Sequence, residues 1–140
     1  MSEQPWESYV SKETVLELHD WCISTWGGDK SPTPKEGCVE GSIGAAINAE
    51  LYSGVESDTT GLCFAGCLLF YLASNHCFVD GNKRVAWASC MEALRNLGLT
   101  ITATDDEAEA FCLDIATGTV RNAMDVPLWL APRLEALATD

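Results

Sequence analysis

Apolar residues recur along this chain at helical spacing almost from end to end. Val15, Leu18, Cys22 and Trp26 fall at i, i+3, i+7 and i+11, one face of a helix that Ser11 is placed to cap and Gly27-Gly28 to end. His19 lies one step off that stripe, which predicts a partly exposed histidine; the competing reading is a second catalytic histidine. After an aperiodic, proline-containing stretch from Asp29 to Gly41, Ile43, Ile47 and Leu51 mark a short helix opening at Ser42 or Gly44 and closing at Ser53-Gly54. The run from Leu62 to Leu72 is apolar nearly all round, so it predicts a helix buried on most sides, capped by Asp58 or Thr59 and reaching about Asn75. Gly66 within it costs about 1 kcal/mol against alanine and signals a close helix approach.

The second half continues the pattern. A helix from Asn82 carries Val85, Ala86, Cys90, Leu94 and Leu97, and Gly98 is its natural stop. Leu99 to Thr102 alternates and predicts a short extended piece. Thr104 to Glu107 is a capping box opening a helix with Ala108, Phe111, Cys112 and Ile115 inward, stopped by Gly118. The last helix begins near Asp125 with Pro127 in its first turn, and Pro132 must kink or divide it. The expectation is an all-α, single-domain bundle of about six helices around a buried central helix, covering residues 1–140 with 1–10 as a loose N-terminal arm.

Composition narrows the function. A chain of 140 residues with 47% hydrophobic and 21% charged residues suits one globular domain. A formal net charge of -13 argues against nucleic acid as a partner, since phosphate backbones need basic patches. No stretch reaches the roughly 20 apolar residues of a membrane span. The acidic N-terminus lacks the pattern of a signal peptide, which points to a cytoplasmic protein. The seven cysteines are odd in number, which speaks against a disulfide framework and predicts buried reduced thiols. A metal half-site at Cys63, Cys67, His76 and Cys77 lacks the paired tight turns of zinc sites.

Between the two apolar helices lies Asn75-His76-Cys77-Phe78-Val79-Asp80-Gly81-Asn82-Lys83-Arg84, which holds the parts of a phosphate-handling site. Gly81 admits a ligand close to the backbone. Asn82, Lys83 and Arg84 open a helix whose unpaired N–H groups favour an anion, and Arg84 adds a two-pronged phosphate clamp. Asp80 is a hard oxygen ligand suited to Mg²⁺ when phosphates supply further ligands. His76 has an ordinary pKa suited to removing a proton near neutrality. Phe78 reads as an anchor pinning the loop to the core. The bland reading is a solvated helix–loop–helix turn, which would suffice for Gly-Asn or Lys-Arg alone.

The spacing His76-x-Phe78-x-Asp80-Gly81-Asn82-Lys83-Arg84 resembles the signature of the Fic/Doc family, with lysine before the final arginine as in the Doc (death-on-curing) type and glycine at position 81 as in Fic proteins. The resemblance implies a toxin-type, Mg²⁺-dependent transferase that uses ATP or another nucleotide and acts on a Ser, Thr or Tyr hydroxyl of a protein. His76 is then the general base, Asp80 the Mg²⁺ ligand, Gly81 and Asn82 nucleotide-binding, and Lys83 and Arg84 both nucleotide-binding and catalytic. Lys83 favours Doc-like phosphate transfer, with a translation factor such as elongation factor Tu as the target. Gly81 keeps Fic-type AMP transfer open, and a catalytically silent binding module is the third reading. The segment Lys35 to Glu40 falls where the family has a flap that lines up the target. The family's inhibitory Ser/Thr-x-x-x-Glu-Gly/Asn pattern has no match here, which implies a separate antitoxin made alongside the chain.

Overall fold

The computed structural model describes residues 10–29, 34–52 and 61–138. Among these the helices are α1 Lys12–Trp26, α2 Cys38–Tyr52, α3 Leu62–Asn75, α4 Asn82–Asn96, α5 Asp105–Ala116 and α6 Asp125–Leu130. The architecture is all-α around α3, whose Phe64, Leu68, Leu69 and Leu72 are each no more than 1% exposed. Helices α2, α4, α5 and α6 all pack on it. This is why its sequence shows no polar face. Gly61 precedes α3 without a side-chain cap, and the Phe64 amide donates instead to the Glu50 carboxylate of α2 at 3.0 Å. One acidic side chain thus supplies a neighbouring helix with the acceptor its own sequence lacks.

The two prolines of the C-terminal segment act differently. Pro127 sits buried in the first turn of α6, and Pro132 lies in a 3-10 turn, Ala131–Arg133, that ends the α-helix at Leu130. The chain then runs back as β2 Leu134–Ala136, antiparallel to β1 Leu99–Ile101, with Thr100 opposite Glu135. The extended piece expected after Gly98 is therefore one half of a small two-stranded sheet. The capping box at Thr104 and Glu107 is formed in both directions.

Four expectations need correction. Helix α2 begins at Cys38, ahead of Ser42, because Val39 is fully buried and tertiary packing outweighs the helix cost of Gly41 and Gly44. On α1 the buried residues are Val15, His19, Cys22 and Ile23, while Trp26 is half exposed; His19 is buried because the motif loop, not only the apolar core, packs on this helix. Val10 is fully buried, so a loose arm does not extend to it. Finally, Cys38 and Cys77 form a disulfide across 39 positions, with Cα atoms 5.4 Å apart. An odd cysteine count leaves room for one pair, and nothing in local spacing marks two residues that meet only because α2 starts beside the end of α3. The expected closure of α2 at Ser53-Gly54 and the expected caps Asp58 and Thr59 lie outside the described residues.

Gly66 is where α3 and α6 touch: a Cβ there would stand 2.8 Å from the Pro127 backbone nitrogen and ring carbons. Gly44, by contrast, has open space around its missing side chain. Gly66→Ala should therefore destabilise the fold by about 1–3 kcal/mol through overpacking, whereas Gly44→Ala should stabilise it by about 0.5–1 kcal/mol through helix propensity. Urea unfolding of the two variants beside the parent checks both signs.

Candidate active site

The motif loop leaves α3 through His76, whose φ of 50° and ψ of 54° make it the non-glycine residue with left-handed backbone among the described residues. Such a conformation turns the chain sharply and places the imidazole in solvent at the head of the loop. The next two side chains go inward. Cys77 is 1% exposed and disulfide-bonded to Cys38, and Phe78 is 6% exposed.

Phe78 meets His19 of α1 ring on ring, with centroids 3.8 Å apart and planes within 11° of parallel. The same imidazole donates from Nε2 to the Asp80 carbonyl oxygen at 2.8 Å, which fixes a proton on Nε2. One buried side chain thus holds both the anchor residue and the backbone of the candidate metal ligand. The sequence offered only a histidine just off an apolar stripe, so this partnership was not legible there.

Asn82, the first residue of α4, closes the loop on itself. Its Oδ1 accepts from the Phe78 amide at 3.0 Å and its Nδ2 donates to the Phe78 carbonyl at 2.9 Å. The side-chain amide that could face a nucleotide is thus occupied with the loop backbone. What α4 offers an anion is its own start: Gly81 precedes it at φ 77° with no side-chain cap on the first-turn N–H groups. Gly81 has little room for anything larger, since a Cβ would stand 3.1 Å from Ile23 Cδ1 and 3.6 Å from His19 Nε2.

Asp80 is exposed, and its carboxylate is oriented by backbone donors on either side. Oδ1 accepts from Gly81 N at 2.9 Å and Oδ2 from Asp29 N at 3.2 Å. Gly28 is the residue that permits this, because a Cβ there would come within 2.8 Å of Oδ2. No group of three His, Cys, Asp or Glu side chains capable of holding a metal occurs among the described residues. A single oriented carboxylate beside a helix start fits Mg²⁺ whose remaining ligands are phosphates and water, and does not fit a protein-enclosed metal.

Lys83 and Arg84 are both exposed at the start of α4. The Arg84 guanidinium lies over the Trp26 ring at 5.2 Å, which gives that exposed tryptophan a place in the site that its apolar spacing concealed. Arg84 also draws down the Cys22 thiol pKa, although burial, the larger influence, leaves it raised. Burial pushes the Cys112 thiol up to about 12, and the positive charge of Lys83 offsets a small part of that rise. His76, Asp80, Lys83 and Arg84 thus stand on one short stretch with exposed side chains, while Phe78 and Asn82 are spent on holding it.

The segment Lys35 to Glu40, expected to serve as a flap, lies against the same loop, and its last three residues are the first turn of α2. The Lys35 amide donates to the Cys77 carbonyl at 2.9 Å, and Lys35 Nζ reaches the Asn75 carbonyl at 3.4 Å. A separate groove lined by Tyr52, Phe70, Tyr71 and Arg121 shares no residue with the motif.

The sequence profile of the Fic/DOC family matches residues 9–94, well over half of the chain and the whole of this site. The chain is also similar to the toxin Doc of Mycolicibacterium smegmatis (strain ATCC 700084 / mc(2)155), 44% identical over 55 residues. That match covers 38% of this chain and 42% of the relative, so it spans less than half the length of either.

The two contacts of His19 can be separated by substitution. His19→Ala should lose both, at about 2–4 kcal/mol of stability by loss of a buried ring and a hydrogen bond. His19→Phe should keep the stack and lose only the N–H donor, costing about 1 kcal/mol. Denaturant midpoints for the pair provide the check, and equal losses would mean the hydrogen bond carries the clamp.

Proposed function

The chain belongs to the Fic/DOC family, and on that premise we propose that it is a Doc-like, toxin-type protein phosphotransferase. It moves the γ-phosphate of ATP to a hydroxyl of a target protein in the cytoplasm. The observation that carries this reading is the pairing of exposed Lys83 and Arg84 at an uncapped helix start, within a few residues of an oriented Asp80 and an exposed His76. In a chain with formal net charge -13, two adjacent cations at a helix N-terminus concentrate positive potential where phosphates bind.

Each residue then has a role. His76 takes the proton from the Ser, Thr or Tyr hydroxyl of the target. Asp80, held by the amides of Gly81 and Asp29, binds Mg²⁺, whose charge neutralises the nucleotide phosphates when it is present. The first-turn amides of α4 receive the phosphate oxygens, while Asn82 keeps the loop closed behind them. Lys83 and Arg84 stabilise the charge that builds as the phosphorus–oxygen bond to the leaving group breaks. Arg84 is steadied by Trp26. A translation factor such as elongation factor Tu is the proposed target class, and an antitoxin encoded nearby is the proposed inhibitor.

AMP transfer is the second reading, and Gly81 favours it. It is the residue that Fic proteins carry at this position, and its left-handed backbone turns the loop into the uncapped start of α4. The discriminating test incubates the purified protein with Mg²⁺ and a bacterial lysate, using α-labelled or γ-labelled ATP, with a His76→Ala control in each arm. Histidine-dependent γ-label without α-label is expected. Histidine-dependent α-label would replace the kinase reading by AMP transfer, and absence of both labels together with no nucleotide binding in calorimetry would leave a binding module.

A further inference from the structure

We propose that the Cys38–Cys77 disulfide is a reversible thiol–disulfide exchange site that latches the flap segment to the motif loop. The pair joins the first residue of α2 to the residue that follows His76. Around it the two segments are joined by polar contacts. Lys35 N donates to the Cys77 carbonyl at 2.9 Å, Asn75 Nδ2 donates to Ser42 Oγ at 2.9 Å, and Ser42 Oγ donates to the Cys38 carbonyl at 2.9 Å. The first two of these contacts cross between residues 35–42 and 75–77, the third orients Ser42 within α2, and all remain possible with the disulfide open. The covalent bond is the element that makes the attachment permanent.

The bond is also open to attack from one side. Cys38 is partly exposed, whereas Cys77 is buried at 1%. Attack by a protein or small-molecule dithiol is thus assigned to Cys38, the more exposed partner, with Cys77 as the leaving thiolate. In the balanced step, the attacking thiolate bonds to Cys38 Sγ, the disulfide breaks, and Cys77 takes a proton from solvent. The second thiolate of the dithiol then displaces Cys38, which is protonated in turn. Two electrons and two protons pass to the protein, and the dithiol leaves as its own disulfide. Oxidation by a disulfide of the same class reverses the sequence.

The reduced state already has a partner in place, because Ser42 Oγ lies 3.8 Å from Cys77 Sγ and can share a hydrogen bond with the released thiol. Elsewhere, burial pushes the Cys67 and Cys112 thiols up to about 12, which keeps them protonated and slow to exchange with the pair. Opening the latch frees residues 34–38 to move relative to His76. On the transferase reading of this site, on which this consequence rests, the oxidised state holds the edge that receives the target beside the base. Reduction then raises the KM for the protein target, by about tenfold for one segment left to be ordered on binding, with kcat little changed.

The test uses the intact protein, oxidised with diamide or reduced with dithiothreitol. Alkylation under denaturing conditions should label two more cysteines after reduction, and peptide mapping should place them at positions 38 and 77. Amide hydrogen exchange over residues 34–42 and 76–79 should be about tenfold faster in the reduced state, with α3 unchanged. Cys38→Ser should exchange like the reduced protein and no longer respond to dithiothreitol. Persistence of both thiols after diamide, or identical exchange in the two redox states, would overturn the latch. Redox-dependent exchange with no transfer in either state would uphold the latch and overturn the transferase reading instead.

Discussion

Everything at this site follows from a backbone problem. The chain leaves one buried helix at Asn75 and must enter another at Asn82. The loop between them lies against the core, where an unpaired amide or carbonyl costs about as much as a lost hydrogen bond. No sheet or helix ladder is available to it. The solution is local and uses side chains as substitutes for backbone partners. Asn82 takes both the amide and the carbonyl of Phe78, His19 takes the carbonyl of Asp80, and the Asp80 carboxylate takes the amides of Gly81 and Asp29. The fixed loop is the consequence of satisfying these groups.

That solution separates the motif's residues by direction. Phe78 and Cys77 face the core, and Asn82 is bonded back onto the loop. His76, Lys83 and Arg84 remain exposed, together with the Asp80 carboxylate. Because the ties act largely on backbone atoms and on groups below the loop, the exposed side chains are positioned without being consumed. A motif of nine residues can therefore hold a conformation and leave several groups for chemistry at once. The left-handed backbone of His76 belongs to the same economy, since a single strained residue turns the chain out of α3 and exposes its imidazole in one step.

The parts of this arrangement that are contiguous in sequence were legible there. The buried α3, the motif loop, the helix start at Asn82, the capping box at Thr104 and the division at Pro132 all depend on neighbours within a few positions. So did Gly66, because a glycine in an otherwise fully apolar helix has few explanations other than a close approach, here to Pro127. What was not legible depends on partners far apart in the chain. His19 and Asp80 are 61 positions apart, and Cys38 and Cys77 are 39. Apolar spacing misplaced Trp26 for a related reason: it treats every apolar residue as core, whereas this one stands in solvent beneath Arg84. Helix propensity likewise placed the start of α2 too late, since the residues that fix it, Val39 and the bridged Cys38, act through tertiary contacts.

The long-range ties also explain why the loop belongs to four helices rather than two. At its head, Cys77 is joined to the start of α2; in its middle, Phe78 and Asp80 are held by α1; at its end, Asn82 is the first turn of α4. A connection fixed only by the helices it joins could pivot about its two ends. A third and fourth attachment near its centre remove that freedom, at the cost of making the site sensitive to how α1 and α2 are seated. Of these attachments, the stack and hydrogen bonds re-form spontaneously whenever the fold does. The disulfide alone depends on the chemistry of the surroundings. The loop's geometry is therefore set mainly by packing, and its covalent tie to the start of α2 is the attachment that the proposed thiol–disulfide exchange would open without unfolding the protein.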